Sequence, residues 1–145
     1  MDAINAIIDD FVKSINEDYS ARPASDFMAC LDEDVVEWSL VYPEKDGEAF
    51  FLNFVERFPY ALRYSFFLLC LLHEVGHLET ENEMDDDTAA RNKSMSTADY
   101  YNLHNESIAT DWAGEWLADN PEQATDLDKR LRAAIKEFYA ANLTE

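Results

Sequence analysis

One stretch constrains this chain more than any other. From Tyr60 to Leu78 it is apolar on nearly all sides and free of proline, yet it carries two histidines and a glutamate. A helix that is apolar all round belongs in the middle of a core, so the expectation is a central buried helix with neighbours on every side. Its end reads His73-Glu74-Val75-Gly76-His77. Two imidazoles and a carboxylate lose their water in such a place, which is costly unless something compensates them.

A helix brings residues four apart onto one side, a turn along, so His73 and His77 present their rings to a common point. Zinc takes imidazole and carboxylate ligands at about 2.0–2.2 Å, which suits such a pair. Glu74 lies about 100° around the helix from His73 and about 60° from His77, flanking the ligand face. From there it reaches a water that the metal acidifies towards a pKa of ~7, and can take its proton as the water attacks a carbonyl. This is the logic of the His-Glu-x-x-His signature, and a chain with only three histidines seldom meets it by accident. The competing account, histidines that merely pack or hydrogen-bond, leaves the burial cost unrelieved.

Catalytic zinc sites generally use three protein ligands and keep a fourth position for water, so a third donor is required. The candidates are Glu106, Asp111, His104, Asp99 and the acids around Asp85, Asp86 and Asp87. Ser96 followed by Asp99 reads as a helix start, and the spacing predicts one helix from about Thr97 to Ala118. On it Glu106 shares a face with Ala109, Thr110, Ala113 and Leu117, a small and apolar stripe suited to close approach of another helix. Asp111 lies about 140° and His104 about 160° away from Glu106, so Glu106 is the best-placed acid. Gly76 and Gly114 sit inside helices at a cost of up to ~1 kcal/mol each, which a close backbone contact would explain.

The rest of the chain supplies the frame. Ile4, Ile7, Ile8, Phe11, Val12, Ile15 and Tyr19 recur at three- and four-residue steps, predicting an amphipathic helix from Ala3 to Tyr19. Val35 to Tyr42 alternates like a strand, Pro43 to Gly47 has turn chemistry, and Ala49 to Val55 is aromatic and branched, which together suggest an antiparallel hairpin. Its second strand would offer an edge to an extended peptide. Ser25 to Asp34 fits a short helix or a loop, and Thr80 to Ser96 reads as an exposed acidic loop. Asn120 and Pro121 begin a last helix striped by Ala124, Leu127, Leu131, Ala134, Ile135 and Phe138. The expected class is α+β: a mainly helical minimal zinc-peptidase architecture with a small antiparallel sheet packed on the active-site helix, residues 1–145 forming one domain.

Composition excludes some functions. With 31 acids against 11 Lys and Arg and a formal charge of -20, the surface repels phosphate backbones, so direct nucleic-acid binding is not expected. The longest apolar stretch is too short to span a bilayer and no secretion signal is visible, so the expectation is a cytoplasmic protein without membrane contact. Cys30 and Cys70 read as reduced core residues. Phe50, Phe51, Phe54, Phe66 and Phe67 read as core rather than substrate pocket.

The first motif, followed by Glu106-Ser107-Ile108-Ala109-Thr110-Asp111-Trp112-Ala113, resembles the zincin core of the ImmA/IrrE metallopeptidases over about Tyr60 to Leu117. That resemblance implies His73, His77 and Glu106 as ligands of one Zn2+, Glu74 as the catalytic acid/base, and an intracellular, regulatory protein or peptide as substrate. Two positions depart from the family pattern: Thr110 stands where Asn or Asp is usual, and Trp112 replaces Phe. A hydroxyl is a weaker partner for a ligand histidine than a carboxylate. No helix-turn-helix segment is visible. The alternative is a non-catalytic module that keeps the scaffold and docks a basic protein through its acidic surface. For an oxyanion stabiliser Tyr100, Tyr101 and His104 are the candidates.

Overall fold

The computed structural model describes residues 1–41, 44–86 and 96–143. It is mainly helical with a small three-stranded sheet, the expected α+β class. The elements follow the chain as α1 (Asp2–Ile15), β1 (Ser20–Pro23), β2 (Met28–Cys30), β3 (Val35–Trp38), α2 (Glu44–Arg57), a 3-10 turn (Pro59–Arg63) and α3 (Phe66–Glu79). A second 3-10 turn (Glu81–Glu83), α4 (Thr97–Tyr100), α5 (His104–Asp119) and α6 (Pro121–Leu143) complete the order. Tyr42 and Pro43 of the expected hairpin, and Asp87 of the acidic run, lie outside the described residues.

The centre of the molecule is α3, with ten of its fourteen residues buried, as an all-round apolar helix requires. Ser65 caps it, its hydroxyl accepting the Leu68 N–H at 3.2 Å. One flank packs against α5 through Ala109, Ala113 and Leu117; other flanks meet β2, β3 and α2. From α1, the buried Ile4, Ile8, Phe11 and Val12 join Val36 and Trp38 of β3 and Leu127 and Leu131 of α6 in the same core. The Trp38 indole keeps its hydrogen bond inside that core, donating to Asn5 Oδ1 at 2.8 Å.

The sheet order is β1-β3-β2, with β1 parallel and β2 antiparallel to β3, so it is mixed rather than wholly antiparallel. The hairpin is formed by β3, within the segment expected as a strand, and β2, from the segment left open between helix and loop. Its turn closes through the Glu33 N–H on the Cys30 carbonyl, with Asp34 at φ 56°, a left-handed conformation that Asp tolerates better than most residues.

Two expected elements are corrected. Ala49 to Val55 is not a strand but the body of α2. Its apolar residues Phe50, Phe51, Phe54 and Val55 fall at helical steps, with Phe50 and Phe54 buried and Leu52 exposed, so spacing overrides β propensity here. The single helix expected from Thr97 to Ala118 is broken, because Leu103 is extended (φ -60°, ψ 147°) and α5 starts at His104. The first helix also ends earlier than its stripe suggests: Asn16 is extended, and Tyr19 leads into β1, where its hydroxyl donates to Glu79 at 2.8 Å. No helix among the described residues is long and apolar enough to cross a membrane.

Candidate metal centre

The facing pair α3 and α5 positions the site. At their crossing Gly76 has no side chain, and the backbone of Ala109 occupies that space: a Cβ there would drive into the Ala109 carbonyl. Gly114 does the same against the Phe58 ring. These two approaches answer the interior helix glycines, whose lost propensity is exchanged for close packing.

That crossing brings His73 and His77 of α3 against Glu106 in the first turn of α5. Glu106 Oε1 lies 3.1 Å from His73 Nε2 and 3.2 Å from His77 Nε2, and all three residues are buried. One ring nitrogen of each histidine and a Glu74 carboxylate oxygen also lie within 4.8 Å of one another. Around a tetrahedral zinc with bonds of about 2.0–2.1 Å, neighbouring donor atoms stand roughly 3.3 Å apart. The two His–Glu106 separations are within a few tenths of that edge, so Glu106 stands to each histidine as two donors on one such ion would. Glu74 stands beside the trio, half-buried and open to a cavity.

The electrostatics separate the two carboxylates. Burial alone would push the Glu106 carboxyl up, but hydrogen bonds from both imidazoles and their charge outweigh it and hold it well below the ordinary range. As a carboxylate Glu106 can only accept, so in both contacts an Nε2–H is the donor. Glu74 goes the other way: burial raises it, the neighbouring Glu106 charge adds to the rise, and the two histidines and the Ala29 N–H oppose it. Two carboxylates with opposite environments beside the same pair of imidazoles suit separate tasks, ligand and proton carrier.

His73 Nδ1 is held by the Thr110 hydroxyl at 3.0 Å. Three of the other candidates for a third donor, Asp111, His104 and Asp99, are placed elsewhere. Asp111 pairs with Arg57, which also donates to Ser107 Oγ at 2.9 Å. His104 donates its Nε2–H to the Glu83 carbonyl at 2.9 Å, and Asp99 is exposed. Tyr100 and Tyr101 line the cavity; His104 does not.

The cavity beside the trio has a volume of about 480 Å³ and is walled by β2, α2, α3 and the tyrosines of α4 and its end. Phe50 and Phe66, read as core from the sequence, form part of that wall, whereas Phe54 and Phe67 are core alone. Cys70 also faces the cavity; both cysteines are free and only partly buried. The contribution of Phe27, Met28 and Ala29 had no signal in the sequence, because it depends on a three-residue strand too short to show a period. The chain matches no family model, no curated protein and no solved structure.

Proposed function

We propose that this chain is a zinc-dependent metallopeptidase that hydrolyses peptide bonds of an intracellular regulatory protein. The observation that carries the reading is the joint approach of Glu106 Oε1 to both histidine Nε2 atoms, with Glu74 beside them on an open cavity. His73, His77 and Glu106 would hold the ion. Bound there, zinc supplies a Lewis acid for the scissile carbonyl and lowers the pKa of the attacking water.

The remaining steps belong to the protein. Glu74 accepts a proton as the water oxygen bonds to the carbonyl carbon, and returns it to the departing nitrogen as the C–N bond breaks. Its raised proton affinity favours taking up a proton and holding it for the leaving nitrogen. Thr110 orients the His73 ring. β2 is an edge of the sheet and Met28 and Ala29 line the cavity, so an extended peptide added to that edge would run past Glu74. The resemblance of the His73–His77 and Glu106–Ala113 motifs to those of the ImmA/IrrE peptidases points the same way.

The test is the Glu74→Gln variant with zinc-loaded protein and a peptide library derived from a cellular proteome. We expect about one zinc per chain in both proteins and cleavage in the parent only; equal turnover by the variant removes Glu74 from the mechanism. The formal charge of -20 favours a second reading, a module that docks a basic protein. A basic partner captured equally by parent and His73→Ala protein, with function intact, would decide for docking.

A further inference from the structure

The face that α3 turns to the cavity changes character along its length. His77, Glu74 and His73 form the polar end; Cys70 and Phe66 follow one and two turns towards the N-terminus. At 1.5 Å per residue, Phe66 is about 10 Å along the axis from His73. Around this apolar end stand Phe27 and Met28 from the sheet side and Phe50 from α2. The rings are fixed against one another: Phe50 meets Phe66 at 5.9 Å, Tyr101 at 5.3 Å and the His73 imidazole at 5.1 Å between centroids, all edge to face. Phe27 is held on Phe67 at 5.2 Å. A preformed aromatic wall thus begins at a ligand histidine and leads away from it. The volume lies within the ~300–1,000 Å³ of small-ligand pockets, enough for one large side chain and its adjoining backbone.

We propose that this apolar end is the side-chain pocket that selects the substrate: it takes a large apolar residue, aromatic or long aliphatic, next to the bond to be cut. The inference rests on the metallopeptidase reading and adds to it the class of residue recognised. An apolar side chain entering there leaves water for aromatic and thioether surface, while a carboxylate side chain would lose its water and face Glu74 and Glu106. Cys70, midway along the floor, sets the depth. Burial raises its thiol well above the ordinary value, so it enters the pocket as a small neutral group.

The experiment uses hydroxamates, which anchor on zinc whatever their side chain. Acetohydroxamate and the hydroxamates of phenylalanine, leucine and aspartate are titrated calorimetrically into zinc-loaded protein. The phenylalanine and leucine compounds should bind about ten- to a hundred-fold more tightly than acetohydroxamate, and the aspartate compound no more tightly. Cys70→Phe should fill the floor and bring the phenylalanine-to-acetohydroxamate ratio towards one, and Phe66→Ala should lower it several-fold by removing wall. A flat series, or a preference for aspartate, overturns the pocket while the metal centre stands. Absence of binding by every hydroxamate, acetohydroxamate included, overturns the metal centre and the pocket with it. Should Cys70→Phe fail to fold, an unchanged ratio in Phe66→Ala is sufficient to overturn the proposal.

Discussion

The Nδ1 atom of His73 lies 3.0 Å from the hydroxyl oxygen of Thr110, one turn beyond Glu106 on the facing helix. A hydroxyl both donates and accepts, so it serves either tautomer of the ring. In the tautomer that gives Nε2–H to Glu106, Nδ1 accepts a hydrogen bond from the threonine hydroxyl. With Nε2 turned over to a metal, Nδ1–H donates to the same oxygen. A carboxylate at this position would only accept, and would hold the ring in the metal-binding tautomer alone. Thr110→Val removes the partner while nearly keeping the volume, and should weaken zinc binding about 10- to 100-fold in competition with a chromophoric chelator. Thr110→Ser should retain most of the affinity; equal affinity in Thr110→Val would show that packing alone orients the ring.

How much of this was legible beforehand differs by element. Helix α3 was readable because an all-round apolar run with no proline has few other places to go, and α6 because Asn120 and Pro121 mark its start. Glu106 was readable from its helical face, since Ala109, Ala113 and Leu117 announce a close neighbour. The helix α2 was misread because Phe50, Phe51, Phe54 and Val55 carry β propensity, and the Glu44-Lys45-Asp46-Gly47 run looks like a turn while serving as a first helical turn. The break at Leu103 and the strands β1 and β2 left no local trace. Those short strands are stabilised by β3 and by α1 and α3, contacts that a local pattern does not encode.

The crossing of α3 and α5 predicts a coupled effect on stability and metal. In Gly76→Ala the new methyl meets the Ala109 carbonyl, a backbone atom with no freedom to turn aside. Overpacking of this kind costs about 1–3 kcal/mol, against a gain of up to ~1 kcal/mol in helix propensity. The net result should be a lower urea midpoint and weaker zinc binding, because Glu106 rides on the displaced helix. A stabilised variant with full zinc affinity would mean that the helices do not pack this closely.

Asp128 of α6 ties the start of α3 to the last helix. It is 5% exposed, accepts the Ser65 N–H at 3.2 Å and the Ser65 hydroxyl, and pairs with Arg132 at 2.9 Å. Asp128→Ala leaves the Ser65 donors without their partner, so denaturant unfolding should show a loss of about 1–3 kcal/mol. The site lies at the opposite end of α3, so zinc affinity should hardly change. A large loss of zinc affinity at intact stability would contradict this separation.

Asp9 supplies a pH-dependent contribution away from the site. Its carboxylate is held below its ordinary range by Lys13, whose Nζ donates at 2.7 Å, and by the Ala21 N–H at 3.0 Å, with partial burial working against them. A depressed folded-state pKa contributes stability above the unfolded value near ~3.9 and loses it as pH falls through the folded value. Asp9→Asn should therefore cost up to about 1 kcal/mol at neutral pH, and the two unfolding curves should converge below about pH 4. A gap that stays constant down to pH 2 would show that the carboxylate charge is not its source.

Zinc should stabilise the fold by mass action on the native state. At a free concentration a hundred times the dissociation constant, binding to the native state alone contributes about 2.7 kcal/mol. For a chain of 145 residues that corresponds to a rise in Tm of about 5–10 °C. The metal-free protein should still fold, because Glu106 already satisfies both Nε2–H groups and Thr110 serves the remaining nitrogen of His73. Glu106→Ala exposes the difference between these two roles: it removes a ligand from the metal and the common acceptor from the empty site. Calorimetry should then show a lower Tm without zinc and a much smaller rise with it. A full zinc-dependent rise in that variant would establish that some other side chain is the third donor.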